Sequence, residues 1–157
     1  MVVDAESPLP SDLSVLSLAS HVAFSAQGLT EFAGRQQMSG TNLIDHLCAA
    51  GKLLGDVVMV TNGAEGVFWI DRQEILHCPG FPVEVVDTLG AGDVWHGALA
   101  LGLAEGQPLE QAVVFANAAA AIKCTKFGGR TGIPDRRQVT DFLAAYGPLP
   151  KARQLMS

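Results

Sequence analysis

Short continuous runs of apolar residues alternate along this chain with stretches in which apolar residues recur at helical spacing. A continuous run predicts a strand that is buried on both faces, as in a parallel sheet. The predicted strands lie at 1–4, 22–24, 57–60, 67–70, 74–78 and 83–86. Only three polar residues separate the fourth strand from the fifth, so we expect these two to pair antiparallel. The alternation of strands and helices predicts an α/β fold.

Helical spacing predicts helices between these strands. One is expected to begin at Ser11, and another to begin at Thr41 and end near Gly55, because hydroxyl side chains cap helix starts and glycine ends helices. A short helix is predicted at 29–32, and longer helices are predicted at 94–104, 109–123 and 135–146. The remaining residues, 148–157, are mostly polar and are expected to be frayed.

The stretch from Asp87 to Asp93 leads from the last predicted strand into a helix. Gly90, Ala91 and Gly92 carry little or no side chain, so their backbone N–H groups can approach an anion where the helix dipole favours negative charge. A carboxylate at position 93 would repel a phosphate unless it has a separate task, such as accepting a proton. Glycine turns followed by an acidic residue are also ordinary helix starts, and this alternative stays open.

Two more glycine-rich turns lie at 61–66 and 127–134. The first follows the carboxyl end of the strand at 57–60, where open α/β sheets bind ligands. The helix at 109–123 has a face of small residues at 117–121. That face can pack closely on another helix or lie flat against a planar ring.

The composition suits one globular core, since 48% of the 157 residues are apolar and 17% are charged. A formal net charge of −6 argues against nucleic-acid or anionic-membrane binding, because either would need a basic face. No apolar run reaches the roughly 20 residues of a membrane span. Three widely spaced cysteines, Cys48, Cys78 and Cys124, are typical of reduced thiols. We therefore expect a soluble, cytoplasmic protein with no nucleic-acid or membrane partner.

Several motifs are similar, in order and spacing, to those of the ribokinase-like (PfkB) sugar kinases. Residues 85–93 resemble the carboxyl-terminal signature of that family, and Thr61-x-Gly63-x-x-Gly66 resembles its other nucleotide turn. The family pattern continues at 117–121, 123–125, 128–130 and 133–134. The resemblance implies the carboxyl-terminal half of a three-layer α/β/α sandwich, with a mostly parallel central sheet and an antiparallel hairpin.

Shorter strings narrow the resemblance. Those at 21–25, 28–29, 93–100 and 123–125 resemble the sulfofructose kinases, and those at 3–6 and 87–89 also resemble the ketohexokinases. Both kinds of kinase phosphorylate C1 of a ketose. The resemblance therefore implies a small-molecule sugar, and a ketose in particular, as the acceptor.

The resemblance also implies roles for individual residues. ATP, with Mg²⁺, would be the phosphoryl donor, and Asp93 would accept the proton of the attacking sugar hydroxyl. The charge that develops on the transferred group would meet the amides of Gly90, Ala91 and Gly92. The implied nucleotide-binding residues are Thr61, Gly63, Gly66, Asn117 and Ala121. A monovalent cation, usually K⁺, is implied at Asp87 and at main-chain oxygens of Leu89, Lys123, Lys126, Gly128 and Gly132. Residues 26–29 depart from the Asn-x-x-Glu element that many members have for magnesium.

The resemblance covers only the second half of the family. We therefore expect one nucleotide-binding half-domain at 1–147 and a polar tail at 148–157, without the amino-terminal half and its lid. Such a fragment is expected to be inactive alone and to self-associate, because a strand without its neighbours exposes unpaired backbone groups. A non-catalytic nucleotide-binding or self-associating scaffold is the alternative. A dinucleotide-binding oxidoreductase is disfavoured, because no G-x-G-x-x-G follows the first strand.

Overall fold

The computed structural model describes residues 1–55 and 57–155, which divide into two compact units. The first unit contains Met1–Asn62, Val67–His77 and the residues from Arg153 onward, and the second contains Gly63–Gly66 and Cys78–Ala152. The half-domain at 1–147 stays a prediction, and the last two residues of the predicted tail lie outside the described part. None of the described helices is long and apolar enough to cross a membrane.

A mixed six-stranded sheet organises the first unit. Its strands are β1 (Val2–Ala5), β2 (His21–Ser25), β3 (Val57–Thr61), β4 (Val67–Asp71), β5 (Glu74–Cys78) and β6 (Arg153–Gln154). They lie side by side in chain order; β1 and β3 are parallel to β2, and β4 is antiparallel to β3. The first five predicted strands are thereby confirmed.

A two-residue turn joins β4 to its neighbour β5, which is a connection that antiparallel strands make. Its residues, Arg72 and Gln73, have φ angles of 50° and 71°. Both therefore lie in the left-handed region, as a type I′ hairpin turn requires, and the twist of such a turn matches that of the strands. The predicted hairpin is confirmed.

The carboxyl-terminal tail contains a strand that the sequence analysis missed. β6 pairs antiparallel with β5 and sets Arg153 opposite His77. The amide of Leu155 continues this pairing by donating to the carbonyl of Ile75 at 2.8 Å. The prediction of a frayed tail is wrong for these residues, because the edge of β5 offers backbone groups that pairing satisfies.

The helices α1 (Ala26–Arg35) and α2 (Leu43–Leu54) bury the apolar core of the first unit against its sheet. Phe24 of β2 and Phe32 of α1 lie at the centre of this core, with ring centroids 5.1 Å apart. The core therefore combines a strand pattern of continuous apolar residues with the apolar faces of two helices.

Two helix starts in the first unit differ from the prediction. No α-helix begins at Ser11; Ser14–Leu18 instead form a 3₁₀ turn, and the carboxylate of Asp12 accepts the amide that opens it at 2.9 Å. The cap of α2 is Asn42 rather than Thr41, because the Asn42 side chain accepts an amide of the first turn at 2.9 Å. Both differences follow from short polar side chains that compete to bond the nearby backbone.

Three helices form the second unit, namely α3 (Ala91–Ala104), α4 (Leu109–Cys124) and α5 (Arg136–Tyr146). All three are confirmed, although α3 begins three residues before its predicted start at 94. Asp135 caps α5 in a reciprocal arrangement with Gln138, so its predicted role in opening this helix is also confirmed.

Helices α3 and α4 pack closely. A Cβ atom at Gly102 would lie 3.0 Å from the Cβ of Ala112, so only glycine allows this approach without a shift. Three alanines of the small-residue face, Ala118, Ala119 and Ala121, are buried in the apolar core of the unit. For that face, packing against other parts of the protein is therefore favoured over contact with a planar ring.

No strand forms at 83–86, where the sequence predicted one. The side chains of Val85 and Val86 are 59% and 58% exposed. The amides of Val86 and Asp87 both donate to the carbonyl of Cys124, at 2.8 and 3.2 Å, so the carboxyl end of α4 holds this backbone. The prediction is wrong because an apolar run forms a strand only where it packs and pairs with a neighbour.

Candidate functional site

The turn before α3 depends on Gly90. This residue is the N-cap of α3 and has a φ angle of 77°, in the left-handed region that glycine adopts most readily. The amide of Ala91 donates to the carbonyl of Thr88 at 3.0 Å and closes the turn. Gly92 and Asp93 then carry first-turn amides for which the helix provides no acceptor. These two amides are the ones best placed to meet a ligand.

The predicted anion cradle therefore has fewer free backbone amides than expected. The amide of Ala91, one of three expected donors, is engaged inside the turn. For Gly90 and Gly92 the anion-binding role stays a prediction.

Asp93 projects its carboxylate beside this turn. The residue is exposed, and its Oδ2 lies 3.7 Å from the point where a Cβ of Gly90 would be. An acidic side chain in the first turn interacts favourably with the helix dipole. Within the described part of the chain, no cation forms an ion pair with this carboxylate. It is therefore free to act on a ligand.

A cavity of about 590 Å³ adjoins this carboxylate. Gly90 and Asp93 line it together with apolar residues of the three helices, among them Phe115, Ala119 and Val139. A concave, mostly apolar space with a few polar groups is the usual form of a small-molecule site.

Two arginines line the same cavity, and the sequence analysis assigned a role to neither. Arg130 is exposed in the glycine-rich loop after α4, whereas Arg136 pairs with Glu105 and lies over the ring of Phe115 at 5.5 Å. In the sequence, Arg130 could have been noticed because it stands in a glycine-rich loop shortly before the proline that precedes a helix. A free guanidinium beside a cavity can bind an anion.

Asp87 is held by backbone amides at the other end of the turn. Its Oδ1 accepts from the amide of Leu89 at 2.9 Å, and its Oδ2 accepts from the amide of Gly128 at 2.8 Å. These two bonds, with a further contribution from Lys123, lower the pKa of the Asp87 carboxyl below its ordinary value. Asp87 therefore connects the turn before α3 to the loop after α4.

The side chain of Lys123 reaches Asp87 from the last turn of α4. Its ammonium group donates to the main-chain carbonyl of Asp87 at 2.8 Å and lies 3.7 Å from Oδ2. The Lys123 side chain is fully buried. From the sequence, only a main-chain role was expected of this residue, although a lysine that ends a helix of mostly apolar residues was visible there.

The structure brings the residues of the predicted cation site together. A Cβ at Gly132 would lie 3.1 Å from the carbonyl oxygen of Lys123 and 3.2 Å from that of Gly128. The amide of Lys126 donates to the same Lys123 carbonyl at 3.1 Å. We call this set, with Asp87 and Leu89, the Asp87 cluster.

Two predicted nucleotide-binding residues of the second unit hold one segment, at 78–80. Gly66 has a φ angle of 93°, and a Cβ there would lie 2.5 Å from the amide nitrogen of Gly80. The side-chain amide of Asn117 donates to the carbonyl of Pro79 at 3.1 Å, and its Oδ1 accepts the indole N–H of Trp95 at 2.8 Å. Both residues thus have structural roles, and contact with a nucleotide stays a prediction.

The other three residues of the nucleotide prediction have the following places. Thr61 ends β3 in the first unit and donates to the carbonyl of Phe24 at 3.5 Å. Gly63 has a φ angle of 52° and accepts the amide of Gly66 at 3.1 Å. Ala121 packs in the apolar core of the second unit. Their role toward a nucleotide also stays a prediction.

The cysteines do not supply a nucleophile. Cys48, Cys78 and Cys124 are free thiols, as the sequence predicted. Burial raises the pKa of Cys78 to about 11 and also raises the pKa of the other two. All three therefore remain protonated at neutral pH, whereas the thiolate is the reactive form.

Comparison with known proteins gives consistent matches. The sequence profile of the pfkB family carbohydrate kinases matches residues 1–136. The ribokinase of Bacillus subtilis (strain 168) is 41% identical over 87 residues, which are 55% of this chain and 30% of that protein. The matched part of the chain thus covers less than a third of the length of this curated relative.

Solved structures match over most of the chain. A ribokinase from Thermotoga maritima is 30% identical with a TM-score of 0.83, covering 91% of this chain and 48% of the other. A fructokinase double mutant from Vibrio cholerae O395, solved with fructose, ADP and potassium ion, is 25% identical with a TM-score of 0.76, covering 90% and 50%. The predicted ribokinase-like fold is thereby confirmed.

Proposed function

Because the chain belongs to the pfkB family of carbohydrate kinases, we propose that it carries the phosphoryl-transfer site of an ATP-dependent sugar kinase. The observation that carries the proposal is the place of Asp93, an exposed carboxylate in the first turn of α3, beside the Gly90 turn and the cavity. Such a place combines a proton acceptor with helix-start amides that suit phosphate. Phosphoryl transfer to a hydroxyl needs both groups.

In the proposed reaction Asp93 accepts the proton of a sugar hydroxyl. The hydroxyl oxygen bonds to the γ-phosphorus of ATP, the bond from that phosphorus to its bridging oxygen breaks, and ADP leaves with the bridging oxygen. A carboxylate is a weak base, but it suffices because this transfer rests mainly on positioning and charge stabilisation. The amide of Gly92 would meet charge on the transferred group, and removing one donor of this kind typically costs about 10²–10³ in rate.

Magnesium is proposed only as a companion of bound ATP, where it neutralises phosphate charge. Among the described residues, no group of three or more His, Cys, Asp or Glu side chains could hold a metal ion. Mg²⁺ usually keeps several waters and takes one or two carboxylates together with substrate phosphates.

The residues of the Asp87 cluster do not fit a bound potassium ion. Potassium is named in the Vibrio cholerae fructokinase structure, and the resemblance assigns a monovalent cation to the Asp87 cluster. The ammonium group of Lys123 already lies against Asp87. No step of the proposed reaction therefore uses K⁺.

We propose a ketose as the acceptor, phosphorylated at C1. The proposal is supported by the strings that resemble sulfofructose kinases and ketohexokinases, and by the fructose in the Vibrio cholerae structure. The chain spans about half the length of these solved structures. The proposed activity and substrate are therefore those of a whole kinase that contains these residues.

Self-association is a further part of the proposal. Four apolar side chains of the second unit are between 58% and 82% exposed, namely Val85, Val86, Leu89 and Phe127. Exposed apolar surface favours association. The same observation favours the alternative function, a non-catalytic chain that binds nucleotide and self-associates. Light scattering of the purified chain measures its mass, and a monomer at all concentrations would contradict association.

The proposed function is tested with Asp93→Asn and a matched control, Glu110→Gln, which changes a first-turn acid of α4. Calorimetry measures ADP affinity with Mg²⁺, and a coupled assay measures ADP release from ATP with fructose, sulfofructose or ribose. Asp93→Asn should keep nucleotide affinity and lose about 10²–10⁴ of any sugar-dependent turnover, while Glu110→Gln changes neither. Sugar-dependent turnover that is measurable in the unmodified chain and undiminished in Asp93→Asn would refute the role of Asp93.

A further inference from the structure

We propose that the ammonium group of Lys123 takes the place of a monovalent cation in the Asp87 cluster, so that the chain binds no K⁺ there. The proposal concerns the same region as the proposed function. Its test measures ion binding and stability, so its failure and the failure of the kinase proposal can be told apart.

The positive charge of Lys123 lies against Asp87. The Lys123 ammonium lies 2.8 Å from the main-chain oxygen of Asp87 and 3.7 Å from its Oδ2. A main-chain carbonyl and a carboxylate are the oxygen ligands that the resemblance gives to a monovalent cation. The lysine nitrogen thus places a positive charge against Asp87, where the resemblance implies a cation.

The aliphatic part of the Lys123 side chain passes close to Gly132. The oxygens of Lys123 and Gly128 converge near Gly132, at 3.1 and 3.2 Å from the point where its Cβ would lie. The Cε of Lys123 is 3.5 Å from that same point. An aliphatic carbon of Lys123 therefore borders the same point beside Gly132 as these two carbonyl oxygens, as a side chain that takes the place of an ion would.

The charges of Asp87 and Lys123 balance each other. Asp87 supplies one negative charge to the cluster, and Lys123 supplies one positive charge. A second cation among these oxygens would lie next to the ammonium, and like charges repel more strongly in a partly buried site than in water. The site is already neutral without an added ion.

The burial of Lys123 also points to a specific role. Lysine is among the residues least often buried completely, and a buried charge persists where it is paired and hydrogen-bonded. Lys123 is fully buried, and the described partners of its ammonium group are the two oxygens of Asp87. Lys123 therefore has a specific electrostatic role toward Asp87, three residues before Gly90 and the helix start.

The test uses the chain with the unmodified sequence, Lys123→Ala, and Lys52→Ala as the matched control. Lys123→Ala removes both the ammonium group and the aliphatic carbons near the carbonyl oxygens. Lys52→Ala removes the same side chain from the last turn of another helix, α2, where it is exposed. Equilibrium dialysis measures binding of rubidium ion, which substitutes for potassium. Thermal unfolding is compared in potassium chloride and choline chloride at equal ionic strength.

The unmodified chain and Lys52→Ala should bind no rubidium and show no potassium-specific change in Tm. Lys123→Ala should gain one rubidium site per chain and a potassium-specific rise in Tm of about 3 °C or more, because an ion that binds only the folded state stabilises it. A rubidium site or a potassium-specific shift in the unmodified chain would overturn the proposal. A folded Lys123→Ala that gains neither would also overturn it, since the oxygens would then not form a cation site. If Lys123→Ala does not fold in any salt, the unmodified chain still decides the matter by the first criterion.

Discussion

The indole N–H of Trp95 donates to the side-chain oxygen of Asn117 at 2.8 Å, between two residues that are both buried. The amide group of Asn117 donates in turn to the carbonyl of Pro79. One side chain thus ties α3, α4 and the segment at 78–80 together. This explains, without a ligand, why an asparagine interrupts an otherwise smooth row of alanines in α4.

Asn117→Ala should therefore destabilise the chain. It leaves the buried indole N–H of Trp95 without its acceptor, and an unsatisfied buried polar group costs about 1–3 kcal/mol. Urea unfolding measures the change in free energy. Gln111→Ala, on the exposed face of the same helix, is the control and should change stability little. A loss in Asn117→Ala no greater than in the control would contradict the role of this bond.

Gly66→Ala should cost more stability than Gly63→Ala. Both glycines have positive φ angles, so alanine at either position carries a backbone penalty of about 1–2 kcal/mol. A Cβ at Gly63 would meet open space, whereas one at Gly66 would lie 2.5 Å from the amide nitrogen of Gly80. Thermal unfolding of the two variants compares them directly. Equal losses would mean that the contact with 78–80 relaxes without cost.

Gly92→Val should weaken nucleotide binding. A β-branched side chain in the first turn of α3 restricts the helix start and fills the space that an approaching phosphate needs. Calorimetry with ADP measures the affinity. Gly34→Val is the control, because it places the same side chain in a helix, α1, at a position where a Cβ meets open space. Unchanged affinity in Gly92→Val would mean that the phosphates bind elsewhere.

Asp87 should make the stability of the chain fall in acid. The amides of Leu89 and Gly128, and then Lys123, lower the pKa of its carboxyl in the folded state. The stability that this carboxyl contributes is therefore fully present above its unfolded pKa and is lost as the pH falls through the folded pKa.

Asp87→Asn should accordingly be less stable than the unmodified chain at neutral pH, with a difference that shrinks as the pH falls from about 6 to about 2. Urea unfolding across this range measures the difference. Asp141→Asn changes an exposed acid of α5 and should show no comparable trend. A difference between Asp87→Asn and the unmodified chain that stays constant with pH would contradict the linkage.

The sequence predicted those elements whose pattern is decided locally. The continuous run in β3 and the helical spacing of α3, α4 and α5 identify these elements without knowledge of their neighbours. Val85 and Val86 show the opposite case, because a strand there depends on a pairing partner that no local pattern reveals. β6 was missed for the same reason, since two residues become a strand only beside the edge of β5.

The candidate site was predictable as a set of residues but not as a set of contacts. Glycine spacing identified the Gly90 turn and located Asp93 beside it. Sequence could not show that the Ala91 amide bonds within the turn, because such a bond depends on the dihedral angles of Gly90. Nor could it show the direction of the Lys123 side chain, which follows from the packing of the last turn of α4.

The complete burial of Lys123 also has a consequence for chemical labelling. An amine that solvent cannot reach is protected from acylating reagents. Acetylation of the native chain, or labelling with a succinimidyl ester, should therefore leave Lys123 unmodified while exposed lysines such as Lys151 react. A label found on Lys123 by mass spectrometry would therefore report that the second unit had opened. Lys123 can thus be used as a reporter of local unfolding.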